Sequence, residues 1–136
     1  MKTAELTGAQ LDYWVAKAEG IEFVMRGDQP ATEHEFSPEG PANEYSHEDW
    51  KMWRYYRPSL DWAQGGPIIE RERINVLEVA EWSEPGVPPD HWRWTASLDN
   101  DTGYYGFTGN RQEGPTPLIA AMRAYVASKF GEEVAD

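Results

Sequence analysis

The chain contains no cysteine among its 136 residues. This absence excludes disulfide bonds, thiolate nucleophiles and cysteine-based zinc or iron–sulfur sites, and it fits a reducing compartment. The sequence also lacks an apolar run of the roughly 18 residues that a membrane-spanning helix needs, and its N-terminus lacks the pattern of a secretion signal. We therefore expect a cytoplasmic protein with no membrane partner.

Basic residues are scarce: 12 lysines and arginines stand against 24 acids, which gives a net charge of −12. Such a charge repels the backbone of nucleic acids, so duplex nucleic acid is not an expected partner. Solubility explains the charge most simply, and mimicry of DNA is the alternative. Seven acids and no lysine or arginine occur between Asp28 and Asp49. This composition predicts a mobile acidic insertion at about residues 28–49.

Signatures of catalysis are also missing, because the sequence has no glycine-rich phosphate loop, nucleophile elbow or metal-binding motif. The acids that could act as a pair are Asp61, Glu70 and Glu72, and the groups that could bind a metal are His34 with Glu35 and His47 with Glu48 and Asp49. Neither spacing matches a known site. The sequence therefore predicts a protein without enzymatic activity, cofactor or metal.

The length of the chain predicts one domain over residues 1–136, with well-marked helices near both ends. The first helix spans Gly8 to Glu19, since Thr7 and Gln10 have the spacing of a capping box and Gly20 follows. The last helix begins at Pro117 after the N-cap residue Thr116 and ends before Gly131. Its apolar residues recur at helical spacing, which predicts a face buried in the core.

Between these helices the sequence predicts mainly strands. Alternating or β-prone runs occur at Ile21–Arg26, Pro67–Arg71, Ile74–Trp82 and His91–Leu98. The aromatic patch Trp50–Tyr56 fits either a helix or a strand, and Tyr104–Thr108 fits either a short strand or a loop. The fold class is therefore predicted as α+β: a small, mainly antiparallel sheet with the N- and C-terminal helices packed on one face.

The tract PSLDWAQGGPIIERE at residues 58–72 is the strongest candidate for a binding site. Trp62 offers a flat face for stacking, Asp61 and Gln64 offer hydrogen-bonding groups, and Gly65 and Gly66 allow the backbone to approach a ligand closely. We interpret this tract as a binding loop set on a strand. The alternative for each residue is a purely structural role, with Trp62 in the core and the glycines in a turn.

A second candidate group is the start of the last helix, where free amides and the helix dipole favour an anion beside Thr116. Arg57, Arg71, Arg73 and Arg123 could pair with its charge, and Arg57 is favoured because it flanks the loop. Thr116 as a simple cap is the alternative. The predicted ligand-binding residues are Arg57, Ser59, Asp61, Trp62, Gln64, Gly65, Gly66, Thr116 and Arg123.

Three tracts in order carry a resemblance to a known family. They are TAELTGAQLDYWVAKAEG at residues 3–20, the tract at residues 58–72 given above, and GPTPLIAAMRAYVASKFG at residues 114–131. Together they resemble the NinX-type small proteins of tailed bacteriophages. The resemblance implies a phage protein that acts in the host cytoplasm, and because the family is a domain of unknown function it implies no activity.

Two binding hypotheses follow from these observations. The favoured one is a phage protein that binds and sequesters a small anionic ligand, with a nucleotide-derived immune signal of the host as the favoured ligand. The alternative is an inhibitor that engages a protein, or mimics DNA, through the aromatic patch and the acidic insertion. The aromatic content also predicts a homodimer or a higher homo-oligomer.

Overall fold

The computed structural model describes residues 1–35, 51–79, 93–98 and 111–135. After a 3-10 helix at Thr3–Glu5, these ranges form α1 (Gly8–Glu19), α2 (Trp62–Glu72) and α3 (Pro117–Phe130). The strands are β1 (Val24–Arg26), β2 (Gln29–Glu35), β3 (Lys51–Tyr55), β4 (Ile74–Val79), β5 (Arg93–Leu98) and β6 (Gln112–Gly114). The predicted α+β class is confirmed. The prediction for Tyr104–Thr108 lies outside the described residues.

The described strands form two antiparallel sheets of three strands, in the orders β1-β2-β3 and β4-β5-β6. The sequence predicted antiparallel pairing correctly but indicated a single sheet. A turn and the helix α2 separate β3 from β4 in the chain, and β4 pairs with β5 instead of β3. Within the patch Trp50–Tyr56, Lys51–Tyr55 form β3, which resolves its ambiguity in favour of a strand, and Tyr56 follows the strand.

Helix α3 lies at the centre of the fold and contacts α1, α2 and all three strands of the sheet β4-β5-β6. The other terminal helix, α1, contacts both α3 and β2. The predicted apolar stripe of α3 is buried except at Phe130, which is 41 % exposed, and four alanines on the same helix are buried as well. Small side chains let neighbouring elements approach the helix closely, so α3 is surrounded by protein over most of its surface. Its buried residues are Leu118, Ile119, Ala120, Ala121, Met122, Ala124, Tyr125, Val126 and Ala127.

The bounds of both terminal helices agree with the sequence prediction. Helix α1 ends at Gly20, whose positive φ of 67° places it in the left-handed region that glycine adopts easily. The Thr7 side chain forms no capping hydrogen bond, so the predicted capping box is wrong in that detail. At α3, the Thr116 hydroxyl accepts a hydrogen bond of 3.1 Å from the Ile119 amide, which confirms Thr116 as the cap.

The segment Pro67–Arg71 is helical, and its prediction as a strand is wrong. It belongs to α2, which begins after Asp61; the Asp61 carboxylate accepts a hydrogen bond of 2.9 Å from the Ala63 amide. Gly65 and Ile68 are buried on one face of this helix, and α2 contacts α3. Tertiary packing of this face outweighs the poor helix propensity of two glycines and an internal proline.

The predicted acidic insertion begins too early, because the structure places residues 29–35 in β2. A hairpin turn at Gly27, with φ of 68°, joins β1 to β2. Pro30 and Ala31 are fully enclosed in the protein, since β2 packs on α1. The sequence did not predict this strand, because its buried residues are small and its remaining residues are polar. Residues 36–49 of the predicted insertion lie outside the described residues.

A charged cluster joins the ends of α1 and α2 to α3. The Arg71 guanidinium donates two hydrogen bonds, of 3.1 and 2.6 Å, to the two carboxylate oxygens of Glu19. The Tyr125 hydroxyl donates a third hydrogen bond, of 2.7 Å, to the same carboxylate. Burial raises the pKa of Glu19, but these hydrogen bonds together with the charges of Arg71 and Lys129 outweigh burial, so the pKa is lowered.

A buried carboxylate connects three further parts of the chain. Asp12 on α1 is completely inaccessible to solvent. One of its oxygens accepts a hydrogen bond of 2.9 Å from the Ser59 amide, and the other accepts one of 3.2 Å from the Gln29 side chain. Burial raises the pKa of Asp12, and the hydrogen bonds from Ser59 and Gln29 and the charge of Arg57 offset only part of this effect. Asp12 therefore joins α1 to β2 and to the turn before α2.

Replacing Asp12 by alanine leaves the Ser59 amide without its acceptor, so we expect the free energy of unfolding to fall by about 2–3 kcal/mol. Asp12→Asn keeps one acceptor oxygen and should cost about 1 kcal/mol. Because folding raises the pKa of Asp12 above its ordinary value of 3.8, wild type should lose stability relative to Asp12→Asn as the pH rises through the folded-state pKa. Urea unfolding over a pH series measures both effects, and a constant difference between these two proteins at every pH would contradict this account.

Candidate functional site

The candidate tract at residues 58–72 forms a turn followed by α2, so its interpretation as a loop set on a strand is wrong. Asp61 is the residue that caps this helix. Its backbone oxygen accepts hydrogen bonds from the amides of Gln64 and Gly65, and its side chain accepts one from Ala63. The amides at the start of α2 therefore have acceptors within the protein, which leaves little capacity there for an anionic ligand.

Gln64 connects α2 to the end of β3. Its side-chain oxygen accepts a hydrogen bond of 2.6 Å from the Arg57 amide, and its side-chain nitrogen donates one of 3.0 Å to the Tyr55 carbonyl. Both ends of the amide thus bind backbone groups of the segment that precedes the helix. This arrangement explains Gln64 as a structural residue, and ligand binding by Arg57 and Gln64 stays a prediction.

Ser59 and Gly65 lie inside the protein rather than at its surface. Ser59 is 1 % exposed, and its amide binds Asp12. A Cβ atom added at Gly65 would lie 2.7 Å from Leu118 Cδ2 and closer still to the Pro58 carbonyl oxygen. Close packing between α2, the preceding turn and α3 therefore requires glycine at position 65, without any need for a ligand.

Thr116 and Arg123, both on or beside α3, also make contacts within the protein. The Thr116 hydroxyl accepts a hydrogen bond from the Ile119 amide, and Pro117 has no N–H group that could bind an anion. Arg123 donates hydrogen bonds of 2.8 Å to the Leu6 carbonyl and 2.7 Å to the Glu113 carbonyl. Burial lowers the pKa of Arg123 from its ordinary value. These contacts make the start of α3 a weaker anion site than its sequence suggests.

Trp62 and Thr116 are the members of the predicted set that are exposed at the surface, while Gly66 is half-buried. Trp62 is 56 % exposed, and the preceding Leu60 is 63 % exposed. The close approach of Gly65 to Leu118 brings the beginnings of α2 and α3 near each other. Ligand binding by Trp62 and Thr116 stays a prediction.

The sheet β1-β2-β3 carries a cluster that sequence reasoning did not assemble. The Arg26 guanidinium carbon lies over the Trp53 ring, 4.6 Å from its centre. The Tyr55 ring meets the Trp53 ring edge to face, with 4.7 Å between ring centres. The strand register places the three side chains on one face of the sheet, because Arg26 pairs with Gln29 and Trp53 with Glu33. We call Arg26, Trp53 and Tyr55 the sheet cluster.

Two donors in the sheet cluster have no acceptor. The Arg26 Nε and Trp53 Nε1 atoms are shielded from solvent, and neither forms a hydrogen bond in the structure of the described residues. Both side chains are half-buried, so other parts of each remain accessible. A buried N–H group without a protein partner is uncommon in folded proteins and calls for an explanation, such as a bound water molecule or a ligand. The arrangement can bind a flat or acceptor-rich group.

The signal for this cluster was present in the sequence but incomplete. Arg26 ends a predicted strand, and Trp53 and Tyr55 belong to the aromatic patch. Arg26 and the aromatic patch are far apart in the chain, so the sequence alone did not indicate the strand register that brings them together. Glu33 was read as part of the insertion, yet it lies directly opposite Trp53 and is the nearest acid by register.

The fold and its surface chemistry define a small α+β domain with two antiparallel three-stranded sheets and a central C-terminal helix. In the ranges given above, no helix is long and apolar enough to cross a membrane, and no group of three or more metal-binding side chains occurs. The chain belongs to the family described as Bacteriophage P22, NinX, whose model matches residues 2–129. None of the curated proteins with which the sequence was compared matches it.

The two neighbouring glycines of α2 allow a matched test of their roles. Gly65→Ala should lower the free energy of unfolding by about 2–3 kcal/mol, because the new methyl group meets the backbone of Pro58 and the side chain of Leu118. Gly66→Ala should raise it by about 0.5–1 kcal/mol, since only Trp62 Cε3 lies near, at 3.9 Å, and alanine favours the helix. Urea unfolding of both variants measures the difference. Equal effects of the two substitutions would contradict the packing described here.

Proposed function

We propose that this protein is a non-catalytic phage protein that binds and sequesters a small anionic ligand at the sheet cluster. The ligand class that we favour is a nucleotide-derived signal of the host, as the sequence suggested. The observation that supports this proposal is the pair of buried donors, Arg26 Nε and Trp53 Nε1, without acceptors. The proposal keeps the predicted ligand class and moves its site from Trp62 to Trp53.

The chemistry of the two donors favours an anionic group. An unsatisfied buried donor costs about 1–3 kcal/mol, so an incoming acceptor recovers a substantial free energy. Arg26 forms no ion pair within the described part of the chain, and its charge adds to the attraction for a carboxylate or phosphate oxygen. The negative charge of Glu33, which lies opposite Trp53 on the neighbouring strand, opposes this attraction.

The rings of the cluster favour a flat ligand. The Arg26 guanidinium stacks on the Trp53 ring, and the Tyr55 ring packs edge to face with Trp53. Planar groups of this kind bind nucleobases. The overall charge of −12 repels long polyanions far more strongly than a compact nucleotide. A small nucleotide therefore matches both the local attraction and the field of the whole protein.

The test is binding of a panel of mononucleotides, cyclic nucleotides and cyclic dinucleotides, measured by calorimetry, with mass spectrometry of ligand released from the purified protein. Trp53→Phe keeps an aromatic ring but removes the N–H group, and should weaken binding about five- to tenfold. Arg26→Gln should weaken it more than tenfold, because a charge-assisted hydrogen bond is lost. Glu33→Gln should strengthen binding.

Trp62→Phe serves as the matched control and should leave the affinity unchanged. Recovery of the ligand in unaltered form would agree with sequestration rather than catalysis. Two results contradict the proposal: no binding across the whole panel, or a loss of affinity in Trp62→Phe with none in Trp53→Phe. The second result would return the site to the tract predicted from sequence.

A second candidate function, binding of a protein partner, is favoured by the exposed pair Leu60 and Trp62. Two neighbouring large apolar side chains, 63 % and 56 % exposed, form an apolar projection at the start of α2. Tryptophan is enriched at binding hot spots. The negative charge of the chain favours a partner whose apolar pocket is surrounded by basic residues. Homo-oligomerisation, which the aromatic content predicts, stays a prediction.

Affinity capture from infected cells tests this second function. The double variant Leu60→Ser/Trp62→Ser should lose a stoichiometric partner that wild type retains. Leu77→Ser is the matched control, because Leu77 on β4 is similarly exposed, at 64 %. Equal capture by wild type and the double variant would contradict a role for this surface.

A further inference from the structure

A cleft between α1 and the hairpin β1-β2 is separate from the sheet cluster and from the exposed pair Leu60 and Trp62. Its volume is about 490 Å³, which is in the range of small-molecule sites. The residues that line it are Met1, Leu6, Ala9, Gln10, Tyr13, Trp14, Met25, Asp28 and Ala135. We propose that this cleft binds a small cationic molecule with an apolar or aromatic body.

The shape and polarity of the lining favour an apolar body for the ligand. Leu6 is fully buried at the base, while Met25 is 45 % exposed on the hairpin. Tyr13 and Trp14 pack edge to face, with 5.3 Å between their ring centres, so they provide two differently oriented aromatic surfaces. Methionine side chains adapt to ligands of varied outline, which suits an open cleft of this kind.

The charges in and around the cleft favour a cation. Asp28 provides a carboxylate, and the cationic group among the described lining residues is the Met1 ammonium, which already has an acceptor within the protein. The Met1 ammonium donates a hydrogen bond of 3.0 Å to the Val134 carbonyl. The Tyr13 ring already attracts one ammonium group, since Lys17 Nζ lies 5.5 Å from its centre. The net charge of −12 further concentrates cations near the protein surface.

This proposal does not depend on the proposed function. The sheet cluster presents donors and an arginine and calls for an anion, whereas the cleft presents a carboxylate and aromatic rings and calls for a cation. The sign of the ligand charge therefore separates the two sites experimentally.

Three indole probes of similar size test the proposal: tryptamine as the cation, 3-ethylindole as the neutral analogue and indole-3-propionate as the anion. Methyl resonances of ¹³C-methionine report the location of binding, because Met1 and Met25 line the cleft while Met122 is fully buried in the core. Tryptamine should shift the Met25 signal and leave the Met122 signal unchanged. The neutral probe should bind more weakly, and the anion should not bind.

Asp28→Asn should weaken tryptamine binding about two- to fivefold, because the carboxylate lies at a solvent-exposed position where ion pairs are modest. Glu70→Gln removes the same charge from an exposed position on α2 and should have no effect. Ala9→Phe, which fills the cleft from α1, should abolish binding. The proposal is overturned by no shift of Met25 at millimolar tryptamine, by equal binding of the anionic or neutral probe, or by unchanged affinity in Asp28→Asn.

Discussion

The buried carboxylate of Asp12 is the interaction on which the arrangement of the chain depends. A carboxylate removed from water is costly unless its oxygens find donors, and here the donors come from Gln29 and from the amide of Ser59. Gln29 also donates a hydrogen bond of 2.7 Å to the Tyr56 carbonyl. The helix α1, the sheet β1-β2-β3 and the turn before α2 are thereby held at one point. Each of the surfaces discussed above lies on one of these three parts.

The second constraint is the central position of α3. Its alanines and aliphatic residues are covered by α1, α2 and the sheet β4-β5-β6, so the termini of the described fold are tied to its core. Glu19, Arg71 and Tyr125 then connect the ends of α1 and α2 to α3. Because so much of the helical surface is used for packing, the ligand sites that we propose lie on the sheet β1-β2-β3 and in the cleft between α1 and the hairpin β1-β2.

The elements predicted correctly from sequence are those with local signals. Helix α1 and helix α3 have apolar residues at helical spacing, with Gly20, Thr116 and Gly131 at their ends. Helix α2 was missed because its two glycines and Pro67 disfavour a helix locally, while the contacts of Gly65 and Ile68 that stabilise it are distant in sequence. The predicted site residues were likewise chosen from local features, without knowledge of their contacts in the fold. Gln64, Ser59 and Arg123 have typical ligand-binding side chains, but in the fold they bind backbone groups or are buried. The sheet cluster depends on strand register, which no local pattern specifies.

The proposal that the sheet cluster supplies donors to an anionic ligand is tested most directly at the donor protons. In ¹⁵N-edited spectra, the indole N–H of Trp53, assigned by its loss in Trp53→Phe, and the Nε–H of Arg26 can be followed during titration with a nucleotide. Formation of hydrogen bonds to the ligand should move both resonances downfield together, with the other tryptophan signals unchanged. If the nucleotide binds while both resonances stay in place, or if the Trp62 indole responds instead, the sheet cluster is not the ligand site.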